Sequence, residues 1–93
     1  VFSWDAHKAL GNLRKHGVSF EEAATVFSDP EGLDWDDFEH SLSERRSTRL
    51  GFSFSGRILF VAYTVRRLKN DKETIRIISA RQATRKERQA YAG

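Results

Sequence analysis

Arg46, Arg66 and Arg81 stand at the margins of β-prone stretches, and His40 and Glu44 lie in the polar segment just before the first of them. A guanidinium stays charged and grips phosphate through two parallel N–H groups. Arginines that converge at strand ends therefore suit the extra negative charge of a phosphoryl transition state. His40 or Glu44 can supply a general base or acid beside them. The same arginines can instead bridge to an acidic segment, and the pattern does not choose between these uses. Lys8, Asn12 and Lys15 recur at i, i+4 and i+7, so they line one edge of a helix, where two cations flanking an amide suit a phosphate-bearing strand or an ordinary solvated face. His7, His16 and His40 are too scattered for an i, i+4 metal pair, and His16 beside a glycine reads as a helix-end feature. GxSxG, Walker, GxGxxG and cysteine-nucleophile patterns are missing, which leaves hydrolases and nucleotide enzymes of those types unsupported.

The elements that must position these groups are legible in outline. Val1 to Trp4 alternates and predicts a short strand. Asp5 can cap a helix whose apolar positions are Ala6, Leu10 and Leu13, and Gly17 is placed to end it. Ser19-Phe20-Glu21-Glu22 has the form of a capping box, opening a helix with the stripe Phe20, Ala23, Ala24 and Phe27 that Asp29-Pro30 stops. Residues 29–44 are polar and acidic, with Leu33, Trp35 and Phe38 leaving room for a short strand or a docked loop. From Arg46 the period becomes two, with Thr48, Leu50, Phe52 and Phe54 on one face and Ser47, Arg49, Gly51 and Ser53 on the other. Ser55-Gly56 suits a hairpin turn, and Arg57 to Val65 is apolar on both faces, as a central strand would be. Glu73 to Ala80 is a further strand with Ile75 and Ile77 on one face, and Thr84 to Glu87 is a second capping box opening a last helix through Tyr91.

The order is β-α-α-(β)-β-β-β-α, an α+β domain spanning residues 1–93 without repeat or linker. Its later strands should form an antiparallel meander with the two early helices on one side, and the other face partly bare for a ligand. If the last strand pairs beside the apolar one, Arg81 falls near the Arg57 end rather than beside Arg46 and Arg66. Leu10, Leu13, Phe20, Phe27, Leu59, Val61, Ile75 and Ile77 are the expected core.

The net charge of +3 hides an asymmetry. Residues 1–44 carry three Lys or Arg and ten Asp or Glu, net −7, while residues 45–93 carry thirteen and three, net +10. A basic half on so small a domain suggests a polyanion such as nucleic acid, unless the halves neutralise each other across the fold. With no cysteine, a disulfide scaffold and a thiolate metal site are excluded, and a reducing cytoplasm fits. No apolar run approaches the roughly 18 residues of a membrane span, and no stretch reads as a signal peptide.

Trp4-Asp5, Lys8, Asn12, the run KHGVSFEEA from Lys15 to Ala23, Val26-Phe27 and Asp29-Pro30 together resemble the BrnT toxins. So do His40-Ser41, Glu44-x-Arg46, Gly51, Gly56-Arg57, Tyr63-Thr64-x-Arg66 and IRIISARQAT-x-x-ER-x-x-Y from Ile75 to Tyr91. The resemblance runs over nearly the whole chain. It implies a RelE-like fold, helices packed on a twisted, mostly antiparallel sheet, and an endoribonuclease that blocks translation and growth without metal or other cofactor. It also implies a partner, a BrnA-type antitoxin that binds DNA, represses the shared operon and forms a hetero-oligomer with the toxin. Carried over by motif, the catalytic candidates are Arg81 and Arg46 for charge stabilisation, Glu44 or His40 as base, and Arg66. Lys8, Lys15 and Tyr91 are the RNA-binding candidates, Lys8 as a backbone-phosphate contact. The competing class is a module of the same fold that binds RNA or antitoxin without catalysis.

Overall fold

The computed structural model describes residues 1–40 and 44–93; Ser41, which belongs to the His40-Ser41 motif, lies outside the described residues. The chain runs β1 (Phe2–Ser3), α1 (Ala6–His16), α2 (Phe20–Thr25), a 3₁₀ turn (Val26–Ser28), β2 (Leu33–Asp36), a second 3₁₀ turn (Phe38–His40), β3 (Arg46–Phe52), β4 (Ile58–Arg67), β5 (Glu73–Gln82) and α3 (Arg85–Ala92). The five strands form one sheet in the order β1-β5-β4-β3-β2. Neighbours are antiparallel except for β1, which lies parallel to β5. The doubly apolar β4 is indeed the central strand, and the open question at residues 29–44 resolves into β2 on the far edge.

The helix ends follow the expected signals with one exception. The Asp5 carboxylate accepts from the Lys8 amide at 3.0 Å, and Gly17, at φ +68°, donates to Leu13 O at 2.9 Å. Thr84 and Glu87 complete a reciprocal capping box. At α2 only half of the box is used: Ser19 Oγ accepts from the Glu22 amide, but the Glu22 carboxylate turns away to Arg57, Ser53 and Ser55. That buried carboxylate is held down at about 2, first by the hydrogen bond from Arg57 and then by the two serine hydroxyls, against the opposing effect of burial. It ties α2 to the β3–β4 hairpin.

The core lies between the early helices and one face of the sheet, with Val18, Phe20, Ala23 and Val26 above and Leu59, Val61, Ile77 and Ala80 below. Gly51 lets the Val26 turn settle onto β3, because a Cβ there would meet Val26 O at 3.1 Å. Of the expected core, Phe20, Leu59, Val61 and Ile77 are buried and Phe27 and Ile75 are half-buried. Leu10 and Leu13 correct the reading of α1, since each is 47% exposed while the helix turns Ala9, Asn12 and His16 toward the sheet.

Asn12 explains the inversion. β1 is only two residues long and pairs with Ile75 and Arg76, so it leaves the outer edge of β5 without a strand beyond that point. The Asn12 amide serves as the missing peptide: Nδ2 donates to Ala80 O at 2.7 Å, and Oδ1 accepts from Ala80 N at 3.0 Å. Nδ2 also donates to Val18 O at 2.9 Å. Satisfying three buried backbone groups outweighs burying two leucines on a helix surface. Asn12 therefore does not line a solvated edge with Lys8 and Lys15. No helix among the described residues is long and apolar enough to cross a membrane.

Candidate active site

Strict alternation from Ile75 and Ile77 would carry Ser79 and Arg81 into the core. A bulge prevents this. β5 runs Tyr63↔Ile77, then Ala62↔Ser79, so Ile78 is an extra residue and parity reverses beyond it. Ile75 and Ile77 thus face the helices, while Ser79 and Arg81 face the open side. Arg81 pairs with Phe60, toward the Arg57 end of β4, and Arg46 pairs with Thr64 toward the other end. Arg46 shares the open face with Thr48, Leu50, Phe60 and Ala62 by even-numbered register.

On that face a cleft of about 350 Å³ brings Arg46 and Arg81 together with His16, His40, Asp37 and Ser79 over a floor of Thr48, Phe60 and Ala62. The Arg81 guanidinium lies over the Phe60 ring, 4.4 Å from its centroid. It also donates to both oxygens of Glu87, at 2.7 and 2.9 Å, and this carboxylate raises the Arg81 pKa above its ordinary value. His40 Nδ1 lies 3.0 Å from the Asp37 carboxylate. A carboxylate only accepts, so Nδ1 carries the proton and Nε2 of the neutral ring is left as an acceptor.

The remaining candidates are placed elsewhere. Glu44 takes the Arg66 guanidinium on both oxygens, at 2.8 and 3.3 Å, and that hydrogen bond holds its carboxyl below the usual range. Arg66 pairs with Thr74 two residues beyond the Arg46 register, so it neighbours Arg46 but is not in the cleft with Arg81. Lys8 and Lys15 are exposed on α1, with Lys15 next to His16. Tyr91 bonds the Asp29 carboxylate through its hydroxyl and packs edge-on against Phe52, holding α3 to β3. Among the cleft residues that the sequence did not mark as site candidates, His16 and Asp37 are the titratable ones. His16 stands one turn after Asn12 on the inward stripe, a signal readable only once Asn12 is known to be buried. Asp37 carries no periodic signal at all.

Ion pairs also join the two oppositely charged halves: Asp34 with Arg49, Asp36 with Arg45, Glu22 with Arg57 and Glu44 with Arg66. Part of the basic half is therefore neutralised by the acidic one, whereas Arg81 pairs within its own half. Among the described residues no cluster of three His, Asp or Glu side chains could hold a metal ion.

Comparison with known proteins agrees with this architecture. The crystal structure of the Brucella abortus ribonuclease toxin BrnT is similar, with a TM-score of 0.63 over 90% of this chain and 96% of that one, at 19% sequence identity. No curated protein matches the sequence. The family model described as the ribonuclease toxin BrnT of type II toxin–antitoxin systems matches residues 4–87. With nearly the whole chain covered by that model, this protein belongs to the BrnT family of ribonuclease toxins of type II toxin–antitoxin systems.

Proposed function

We propose that the cleft on the open sheet face, bounded by His16 and His40, holds an RNA phosphodiester and cleaves it by attack of the ribose 2′-hydroxyl on the adjacent phosphorus. The observation that carries this reading is the convergence of Arg46, Arg81, His16 and His40 in one cleft. His40, oriented by Asp37, takes the 2′-hydroxyl proton at Nε2 as the O2′–P bond forms. Arg46 and Arg81 stabilise the doubly charged phosphorane. Protonated His16 gives its proton to O5′ as the P–O5′ bond breaks, leaving a 2′,3′-cyclic phosphate and a 5′-hydroxyl. Glu44 is a poorer base than His40 because its carboxylate is engaged by Arg66. The Glu44–Arg66 pair instead ties the chain entering β3 to β4. Lys15, beside His16, extends the cationic track for the neighbouring phosphate.

Labelled RNA and purified protein test this reading. Cleavage should persist in EDTA and yield the cyclic phosphate. Arg81→Ala should lower the single-turnover rate by about 10²–10³, and His40→Ala or His16→Ala by about 10²–10⁴. Asp37→Asn should act through His40, lowering the cleavage rate but by less than His40→Ala does. RNA binding without cleavage by the unaltered protein would refute the enzyme reading and leave a binding module.

On the same reading, the antitoxin acts by covering this face. A BrnA-type, DNA-binding antitoxin that presents acidic and aromatic side chains to the Arg46–Arg81 cleft would block RNA there and form a hetero-oligomer in the cytoplasm. Hydrogen exchange should show protection of β3–β5 on complex formation. Protection confined to residues 29–44, with the sheet arginines still exposed, would refute occlusion of the cleft.

A further inference from the structure

Beside the catalytic cleft lies a second cavity, of about 480 Å³, roofed by α3 and bordered by Trp35, Thr48, Leu50, Phe60, Lys86 and Ala90. The two share Thr48 and Phe60, so they adjoin on the open face. Their linings differ in kind: the first carries arginines and histidines, while the second sets Trp35, Leu50, Phe60 and Ala90 beside Thr84, Lys86 and Glu87 of the α3 end. Phe60 stands at the junction, with the Arg81 guanidinium over its ring. Trp35 lies across β3, directly opposite Thr48 and on the same face, with 46% of its surface exposed. Two strand spacings of about 4.8 Å separate the strands bearing Trp35 and Phe60.

We infer that this second cavity is a nucleobase subsite, in which Trp35 stacks on a base next to the phosphate held by Arg46 and Arg81. The inference rests on the cleft being the RNA phosphate site. RNA carries a base one ribose away from each phosphate, so a phosphodiester in the cleft delivers a flat heteroaromatic group to its surroundings. The adjoining cavity offers what such a group needs: an aromatic face for stacking, apolar surface from Leu50 and Ala90, and Thr48, Thr84 and Lys86 to meet base edges or the neighbouring phosphate, with the Glu87 carboxylate already engaged by Arg81. An exposed tryptophan on a four-residue edge strand contributes little to the core, which is elsewhere. Its position is instead explained by a ligand.

The test uses uncleavable RNA, so it reads binding apart from catalysis. The probes are 2′-O-methyl hexanucleotides of A, C and U and an abasic ribose–phosphate hexamer. The protein has two tryptophans, and Trp4 is half-buried against Phe20, so a stacking base should quench mainly Trp35. The base-bearing probes should quench the fluorescence and bind about 5- to 100-fold more tightly than the abasic one. Trp35→Ala should erase that difference, while Trp35→Phe should keep part of the affinity and lose the quench. A Trp35→Ala protein that still distinguishes base-bearing from abasic probes would overturn the inference. So would one that loses only antitoxin binding, since the cavity would then be a protein-docking site. Base-dependent quenching in a protein that cannot cleave RNA would leave the subsite standing and defeat the catalytic reading alone.

Discussion

Replacing Asn12 with alanine removes an amide that satisfies three backbone groups at once: the carbonyls of Val18 and Ala80 and the Ala80 amide. Each hydrogen bond contributes about 1 kcal/mol net, and each buried backbone group left unpaired costs about 1–3 kcal/mol. Asn12 is only 8% exposed, so water replaces the amide incompletely. The expected loss is about 3–5 kcal/mol, a large part of the roughly 5–15 kcal/mol that a domain possesses. For a chain of this size that corresponds to a fall in Tm of about 12–40 °C. Urea unfolding followed by circular dichroism measures it, with the midpoint falling and the slope unchanged. Asn12→Asp gives a sharper control. Its side chain has the same shape but, once ionised, faces two carbonyl oxygens, so its folded-state pKa rises above the unfolded value. Stability should then fall as pH rises through that folded-state value. A loss below about 1 kcal/mol for Asn12→Ala, or a pH-independent loss for Asn12→Asp, would refute the account of Asn12 as a substitute peptide.

Glu22 sits at about 2, below its ordinary 4.5, so its contribution is complete above pH 4.5 and lost as pH falls toward 2; acid titration of unfolding should show at most about 3 kcal/mol of this dependence, absent in Glu22→Gln. Tyr63 is pushed up to about 12 by burial and the Asp34 carboxylate, and Tyr91 to about 12 by Asp29, so their stabilisation persists below pH 10 and fades as pH rises through 12. Ultraviolet titration should find both phenols ionising well above their unfolded value near 10, and a phenol titrating there in the native protein would refute its assigned bond. Gly51→Val should cost about 1–3 kcal/mol by pushing the Val26 turn away from β3, read as a lower Tm. Tyr91→Phe should cost about 1 kcal/mol, read as a lower Tm, and speed amide exchange in α3.

Most elements were legible because their signals are local. Asp5, Gly17, Thr84 and Glu87 act within one turn of a helix, and the alternation from Arg46 needs only the chain's own neighbours. What escaped the sequence depends on distant groups. The inward face of α1 was misassigned because hydrophobicity ranks Leu10 and Leu13 above Asn12, whereas the bare edge of β5 reverses that order. The bulge at Ile78 left no mark in a run of isoleucines, yet it decides which face receives Arg81. The candidate site was legible in part: Arg46, Arg81 and His40 share the cleft. Tyr91 is engaged by Asp29, and the Glu44–Arg66 pair lies outside the cleft, because side-chain pairing is a property of the finished fold. His16 and Trp35 entered only through the shape of the open face.

The strand order also bears on when the molecule becomes itself during synthesis. Phe2 waits for Ile75 and Asn12 for Ala80, so residues near the start find their partners only in β5. Ile77 and Ala80 complete the layer beneath Phe20 and Val26, and Arg81 follows directly after them. Contacts of such long sequence separation form slowly because the intervening loop must close before they reward it. A nascent chain halted before β5 therefore has neither a closed core nor Arg81. Translation must pass through β5 before this domain can close its core.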